Sequence, residues 1–155
     1  MAENDRDTIT IKGTPVKGEA LASGVVKPGY LLERTSAATD TVKAHATKGG
    51  KALMMFALED DLQGDGIDDN YASGDLVQFG IFRSGDEVLA WIANGQAIAK
   101  ADDLSSNGDG TLSEAVPDSS GIITETHVIA RAREACDMSG SSAVDPSGRC
   151  IVEIL

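Results

Sequence analysis

The chain has 155 residues, 41% of them apolar and only 4% aromatic, with 17 glycines and a formal net charge of −12. That length is one domain's worth, and roughly 70% of the unfolded surface can be buried at this size without help from disulfides or a metal. The charge excludes a basic groove for phosphate backbones, and no stretch reaches the roughly 18 apolar residues of a membrane span, so neither nucleic acid nor membrane is an expected partner.

The start, Met1-Ala2-Glu3-Asn4-Asp5-Arg6-Asp7, is charged and lacks an apolar signal core, which predicts synthesis and residence in the cytoplasm. Alternation then sets in at Thr8, Ile9, Thr10, Ile11 and Lys12, the period-two signature of a short strand bounded by Gly13 and Pro15. Residues 1–12 read as an arm ending in a strand that pairs with its own sheet or with a neighbour, and residues 13–155 as a single β domain.

Short apolar runs separated by turn residues follow at Tyr30 to Glu33, Lys51 to Leu58, Leu76 to Phe82, Val88 to Ala93, His127 to Cys136 and Cys150 to Leu155. In the last run Cys150, Val152 and Ile154 share one face, Arg149, Ile151 and Glu153 the other, and Leu155 is expected inside the fold. One turn recurs before a leucine: Pro28-Gly29 ahead of Leu31, Gly74-Asp75 ahead of Leu76, and Ala101-Asp102 ahead of Leu104. Irregular spacing of the copies argues against a solenoid and for a mostly β chain closed as a small barrel or sandwich. The apolar positions of 128–136 fit one helix face and one strand face, so periodicity leaves that segment open.

Two loops stand out. Residues 137–148 are mostly Ser, Gly, Asp and Ala with Pro146, and residues 60–73 carry Asp60, Asp61, Asp65, Asp68 and Asp69. The acidic loop loosely follows a calcium-loop register, but Ala72 stands where a bidentate carboxylate is needed. Around Asn107-Gly108-Asp109-Gly110 the first and twelfth positions, Ser105 and Val116, also fail. No metal is expected at either loop.

Cys136 and Cys150 match neither a redox pair nor a four-ligand zinc site. Two buried thiols are the plain reading. If the last two segments form a hairpin across 137–149, the pair lies close enough to bridge. His45 and His127 lack metal-ligand spacing and read as surface or sheet-face residues, and Trp91 reads as core. Ser119-Ser120-Gly121 and Gly140-Ser141-Ser142 do not make a nucleophile elbow, and Lys48-Gly49-Gly50-Lys51 is too short for a phosphate loop. Neither a catalytic site nor a cofactor is expected.

The stretch Glu87 to Gly95, then Ile98 to Leu104, then Ser106-Asn107-Gly108-Asp109-Gly110-Thr111-Leu112, resembles the core of tailed-bacteriophage capsid decoration (cement) proteins. Val128-Ile129-Ala130-Arg131-Ala132-Arg133-Glu134-Ala135 and the closing strand from Arg149 continue the likeness, which spans residues 26–155. The chain departs from the pattern at Arg133, at its two cysteines and in its longer acidic loop. The resemblance implies a β-tulip-like barrel with an extended N-terminal arm. It also implies a non-enzymatic homotrimer on the outer capsid surface that bridges major capsid protein subunits and stabilises the expanded head. Under that reading Thr8, Ile9, Thr10, Ile11 and Lys12 form the capsid contact. Two other classes fit β turns of this kind: an accessory barrel domain of an enzyme, which wants a lysine in a Met-Lys context that Lys43, Lys48, Lys51 and Lys100 lack, and a calcium-dependent cell-surface β domain.

Overall fold

A computed structural model describes residues 6–115, 127–139 and 148–155. The polar start at 1–5, the stretch 119–121 and most of the loop at 137–148 lie outside the described residues. In chain order the strands are β1 (Thr10–Lys12), β2 (Val16–Ala22), β3 (Leu32–Arg34), β4 (Thr41–Ala44), β5 (Met55–Ala57), β6 (Leu76–Ile81) and β7 (Glu87–Trp91). They continue as β8 (Ala97–Ile98), β9 (Asp103–Ser106), β10 (Leu112–Glu114), β11 (Ala130–Ala132), β12 (Cys136–Asp137) and β13 (Arg149–Ile154). Among the described residues all regular structure is β, and the open segment at 128–136 resolves into strands β11 and β12.

A six-stranded sheet has the order β1-β7-β13-β11-β9-β10 and a five-stranded sheet the order β3-β4-β2-β6-β5, with β12 and β8 forming a separate pair. The long ladder of the five-stranded sheet runs antiparallel from Val16 opposite Ile81 to Leu21 opposite Leu76. Its alternation puts Ala20, Ala22, Val77 and Phe79 inside. Gly18 sits opposite Phe79, and a Cβ there would come within 2.6 Å of the ring, so the ring closes over a position only glycine can supply.

Among the described residues no sheet closes into a barrel, which corrects the expected small β barrel or sandwich to several open sheets. The β3 and β5 ends of the five-stranded sheet approach through a single bridge, Leu31 with Phe56, and never form a ladder. The buried apolar side chains explain the arrangement, because they fall into two clusters instead of one shared core. Val26, Leu32, Val42, Tyr71, Val77 and Phe79 anchor the cluster of the five-stranded sheet. Ile9, Val88, Leu104, Leu112, Val152 and Ile154 belong to the other, under the six-stranded sheet. Leu155, expected inside, is 47% exposed, since the alternation that buries Ile154 turns its neighbour outward.

Cys136 and Cys150 form a disulfide with their Cα atoms 6.2 Å apart. The bridge does not cross a simple hairpin. β13 pairs with β11 from Ala130 opposite Ile154, whereas β12 has left that sheet to pair with β8. The bond therefore ties the small ladder to the centre of the six-stranded sheet. Closing a loop of about fifteen residues stabilises by about 3 kcal/mol in the chain-entropy account. Melting with and without reductant, with the Cys136→Ser/Cys150→Ser variant as control, should show that loss in the parent chain only.

The recurring turn also takes a definite form. Gly29, Gly74 and Ala101 all have positive φ, and Ala101, at 76°, is alone among the described non-glycine residues in doing so. In the last two copies the aspartate that follows accepts a backbone N–H three residues earlier: Asp75 from Ala72 and Asp102 from Ala99, both at 2.8 Å. A Cβ in the left-handed region costs about 1–2 kcal/mol, partly offset in a glycine by its larger unfolded-state freedom. Ala101→Gly should therefore raise the melting temperature, by up to about 1 kcal/mol of stability.

Candidate functional site

Two surfaces hold the residues that the sequence singles out. The first is the N-terminal edge. β1 pairs antiparallel with β7 of the same chain, Thr10 opposite Val88 and Lys12 opposite Glu87, with a bulge between them. Of the two partners open to this strand, its own sheet takes it. Ile9 is fully buried in the core, and its carbonyl accepts from Leu89 at 2.8 Å. Ile11 is half-buried against the same cluster, while Thr8 and Lys12 face solvent. β1 is the outermost strand of its sheet, so one of its edges has no strand partner among the described residues.

Two carboxylates fasten this segment. Glu59 accepts from Thr8 Oγ1 at 2.7 Å and from the Ile9 amide at 3.0 Å. Glu134 accepts two bonds from the Arg6 guanidinium, at 2.8 and 3.2 Å, and one from the Ile151 amide at 3.0 Å. Burial pushes the Glu134 carboxyl up, but Arg6 and the Ile151 amide stabilise the charged form more and hold it below the usual glutamate value of 4.5. A depressed carboxylate stabilises the fold above its unfolded pKa, and that stabilisation is lost as pH falls through the folded value. Glu134→Gln should therefore cost about 1–2 kcal/mol at neutral pH. Its deficit against the parent chain should shrink in melts taken below about pH 4.

The second surface is the acidic loop at 60–73, and it is held by Arg149. This side chain is only 1% exposed. Its Nε donates to the Pro28 carbonyl at 3.2 Å, its Nη1 to Asp68 Oδ1 at 3.0 Å and its Nη2 to the Ile67 carbonyl. The guanidinium lies 4.5 Å from the ring centroid of Trp91, its cross-strand partner, and Lys27 lies 5.0 Å from the same ring. Trp91 Nε1 donates to Pro28 at 2.8 Å, which explains a half-buried tryptophan in place of the core residue expected. Gly148, at φ 72°, leaves the ring its room, since a Cβ there would approach to 2.4 Å.

Two of the loop's acidic residues are taken up by the fold. Asp69 accepts from the Gly66 amide at 2.7 Å, and Asp68, 88% exposed, pairs with Arg149. In the other candidate loop Asp109 accepts from the Thr111 amide at 3.1 Å. Burial raises the Asp109 carboxyl, and the bonds from Thr111 and Asn107 outweigh it to give a net lowering. Among the described residues, the donors able to converge on a metal are Glu134, Cys136 and Cys150, within 4.8 Å of one another. Both sulfurs are committed to the disulfide and the carboxylate to Arg6, so the set is already satisfied.

His127 is exposed, but His45 is 2% exposed, with Nδ1 2.7 Å from Ser106 Oγ and Nε2 donating to the Lys51 carbonyl at 3.0 Å. Standing just after β4 and bonded to the last residue of β9, it is a polar rivet between the two large sheets. Spacing rules miss it because both partners are distant in sequence or on the backbone.

The arrangement is similar almost end to end to the solved N base of head fiber gp8.5 in bacteriophage phi29, with a TM-score of 0.59 over 92% of this chain and 95% of that one. The two share a fold. At 17% identity the likeness is one of architecture. No family model matches the chain, and no curated protein matches it in sequence.

Proposed function

We propose that the chain is a non-enzymatic structural protein of a phage virion that binds the outer surface of the expanded capsid and stabilises it by bridging neighbouring major capsid protein subunits. The observation that carries the reading is the end-to-end likeness to the base of a phage head fiber. The ordered motifs from Glu87 through the closing strand support it independently, because they resemble those of capsid decoration proteins. A chain of net charge −12 also stays soluble and keeps away from packaged DNA while it finds the shell. Repetition by symmetry, as a homotrimer at three-fold points, multiplies modest contacts into a firm hold.

Within this reading Thr8 to Lys12 meet the shell through the free edge of β1. Main-chain groups on an outermost strand offer a neighbour the pairing they lack, and Lys12 and Thr8 already face outward. The test is co-sedimentation of the protein with expanded and unexpanded phage heads, alongside its mass in solution by light scattering. Saturable binding to expanded heads, with a rise in their melting temperature, is the expected result. Absence of binding to any tailed-phage head sinks the reading. Lys12→Glu should lower occupancy with unchanged melting of the free protein. Equal occupancy removes the β1 edge from the contact.

A further inference from the structure

The acidic loop overhangs the solvent face of the five-stranded sheet and leaves a cleft of about 430 Å³ beneath it. Across β2 and β6 the floor is Glu19 opposite Gln78, with Leu76 beside them. The overhanging wall supplies Asp60, Leu62, Asp65 and Asp69, and Asp75 closes one end. No lysine, arginine or histidine lines it.

Two features set this cleft apart from a solvated acidic face. Leu62 of the wall and Leu76 of the floor are 85% and 46% exposed, an apolar presentation that a solvated turn does not need. Asp60, half-buried in the cleft wall, has its Oδ1 shielded from solvent with no hydrogen-bond partner among the described residues. A shielded carboxylate oxygen without a donor is costly unless something supplies one. Leu62 and Asp60 face a second cleft as well, with Lys17, Leu58 and Phe79, so the leucine stands as a ridge between two grooves.

We infer that this cleft docks an extended segment of a partner protein that carries arginine or lysine together with an aliphatic side chain. The basic groups meet the exposed carboxylates of Glu19 and Asp65, while the aliphatic group packs between Leu62 and Leu76. Charge complementarity selects the occupant, because five carboxylates lining a cleft with no basic residue in its lining repel an acidic or phosphorylated segment and attract a basic one. Apolar contact then gives the complex a lifetime that charge alone lacks in salt. The inference holds whatever assembly the chain joins.

The test uses the full chain and a short fluorescent peptide alternating arginine with leucine, read by anisotropy at physiological salt. Peptides alternating arginine with serine, and glutamate with leucine, serve as controls. Leu62→Ser and the pair Glu19→Gln with Asp65→Asn change exposed side chains that carry no hydrogen bond of the fold among the described residues, so melting should not move. Saturable binding of the arginine–leucine peptide, weakened about tenfold by either variant, is the expected result. Equal binding to parent and variants places the peptide elsewhere and overturns the inference. Equal binding of the arginine–serine peptide reduces the effect to diffuse charge and overturns it too, as does no binding at all. If both variants still decorate phage heads fully, the cleft is unused there and the virion reading stands without it.

Discussion

A buried guanidinium holds this protein's parts in register. Arg149 opens the strand at the middle of the six-stranded sheet, yet its hydrogen bonds reach the turn before β3 and the tip of the acidic loop. A charge taken out of water costs several kcal/mol unless its donors find acceptors, so the surroundings of Arg149 must be built around it. Two carbonyls, one carboxylate and the face of Trp91 meet that demand. Asp68 contributes its charge while remaining mostly in water. The pairing therefore fixes a loop without burying both ions.

The two apolar clusters make such polar joints necessary. One cluster lies under the six-stranded sheet and also takes Leu31 and Phe56 from the β3–β5 end of the other sheet, and the small aliphatics that dominate both clusters bury little area apiece. Beside that apolar contact, hydrogen bonds join the two halves: Arg149 and Trp91 to Pro28, and His45 to Ser106. Glu59 and Glu134 perform the same task for the N-terminal segment. Each of these acceptors gathers donors that would otherwise be stranded at a seam.

Much of the β pattern is legible in the sequence where hydrophobicity and pleat agree. Cys150, Val152 and Ile154 alternate inward as their spacing requires, and the leucines flanking Asn107 to Thr111 do mark a hairpin. β2 is invisible by the same rule because its alanines point in while Leu21 is only half-buried, reversing the expected order of hydrophobicity. Closure into a barrel cannot be read from turns at all. It depends on whether β3 and β5 zip together, and their one bridge leaves no local signature. Arg149 looks like a solvent-face residue by alternation, since nothing nearby in sequence announces Pro28, Ile67 or Asp68. The strand character of Thr10 to Lys12 is legible, whereas its choice of partner is a matter of three-dimensional packing around Ile9.

The place of β13 bears on how the protein is made. It lies between β7 and β11, so the six-stranded sheet has a gap at its centre until residues 149–154 have left the ribosome. The five-stranded sheet draws all its strands from residues 16–81 and meets no such delay. During synthesis one half can settle while the other still exposes Ile9, Val88 and Leu104 along unpaired strand edges. Nascent chains of this design spend their riskiest interval with those edges open to one another, and crowded polysomes are where mispairing between copies would begin.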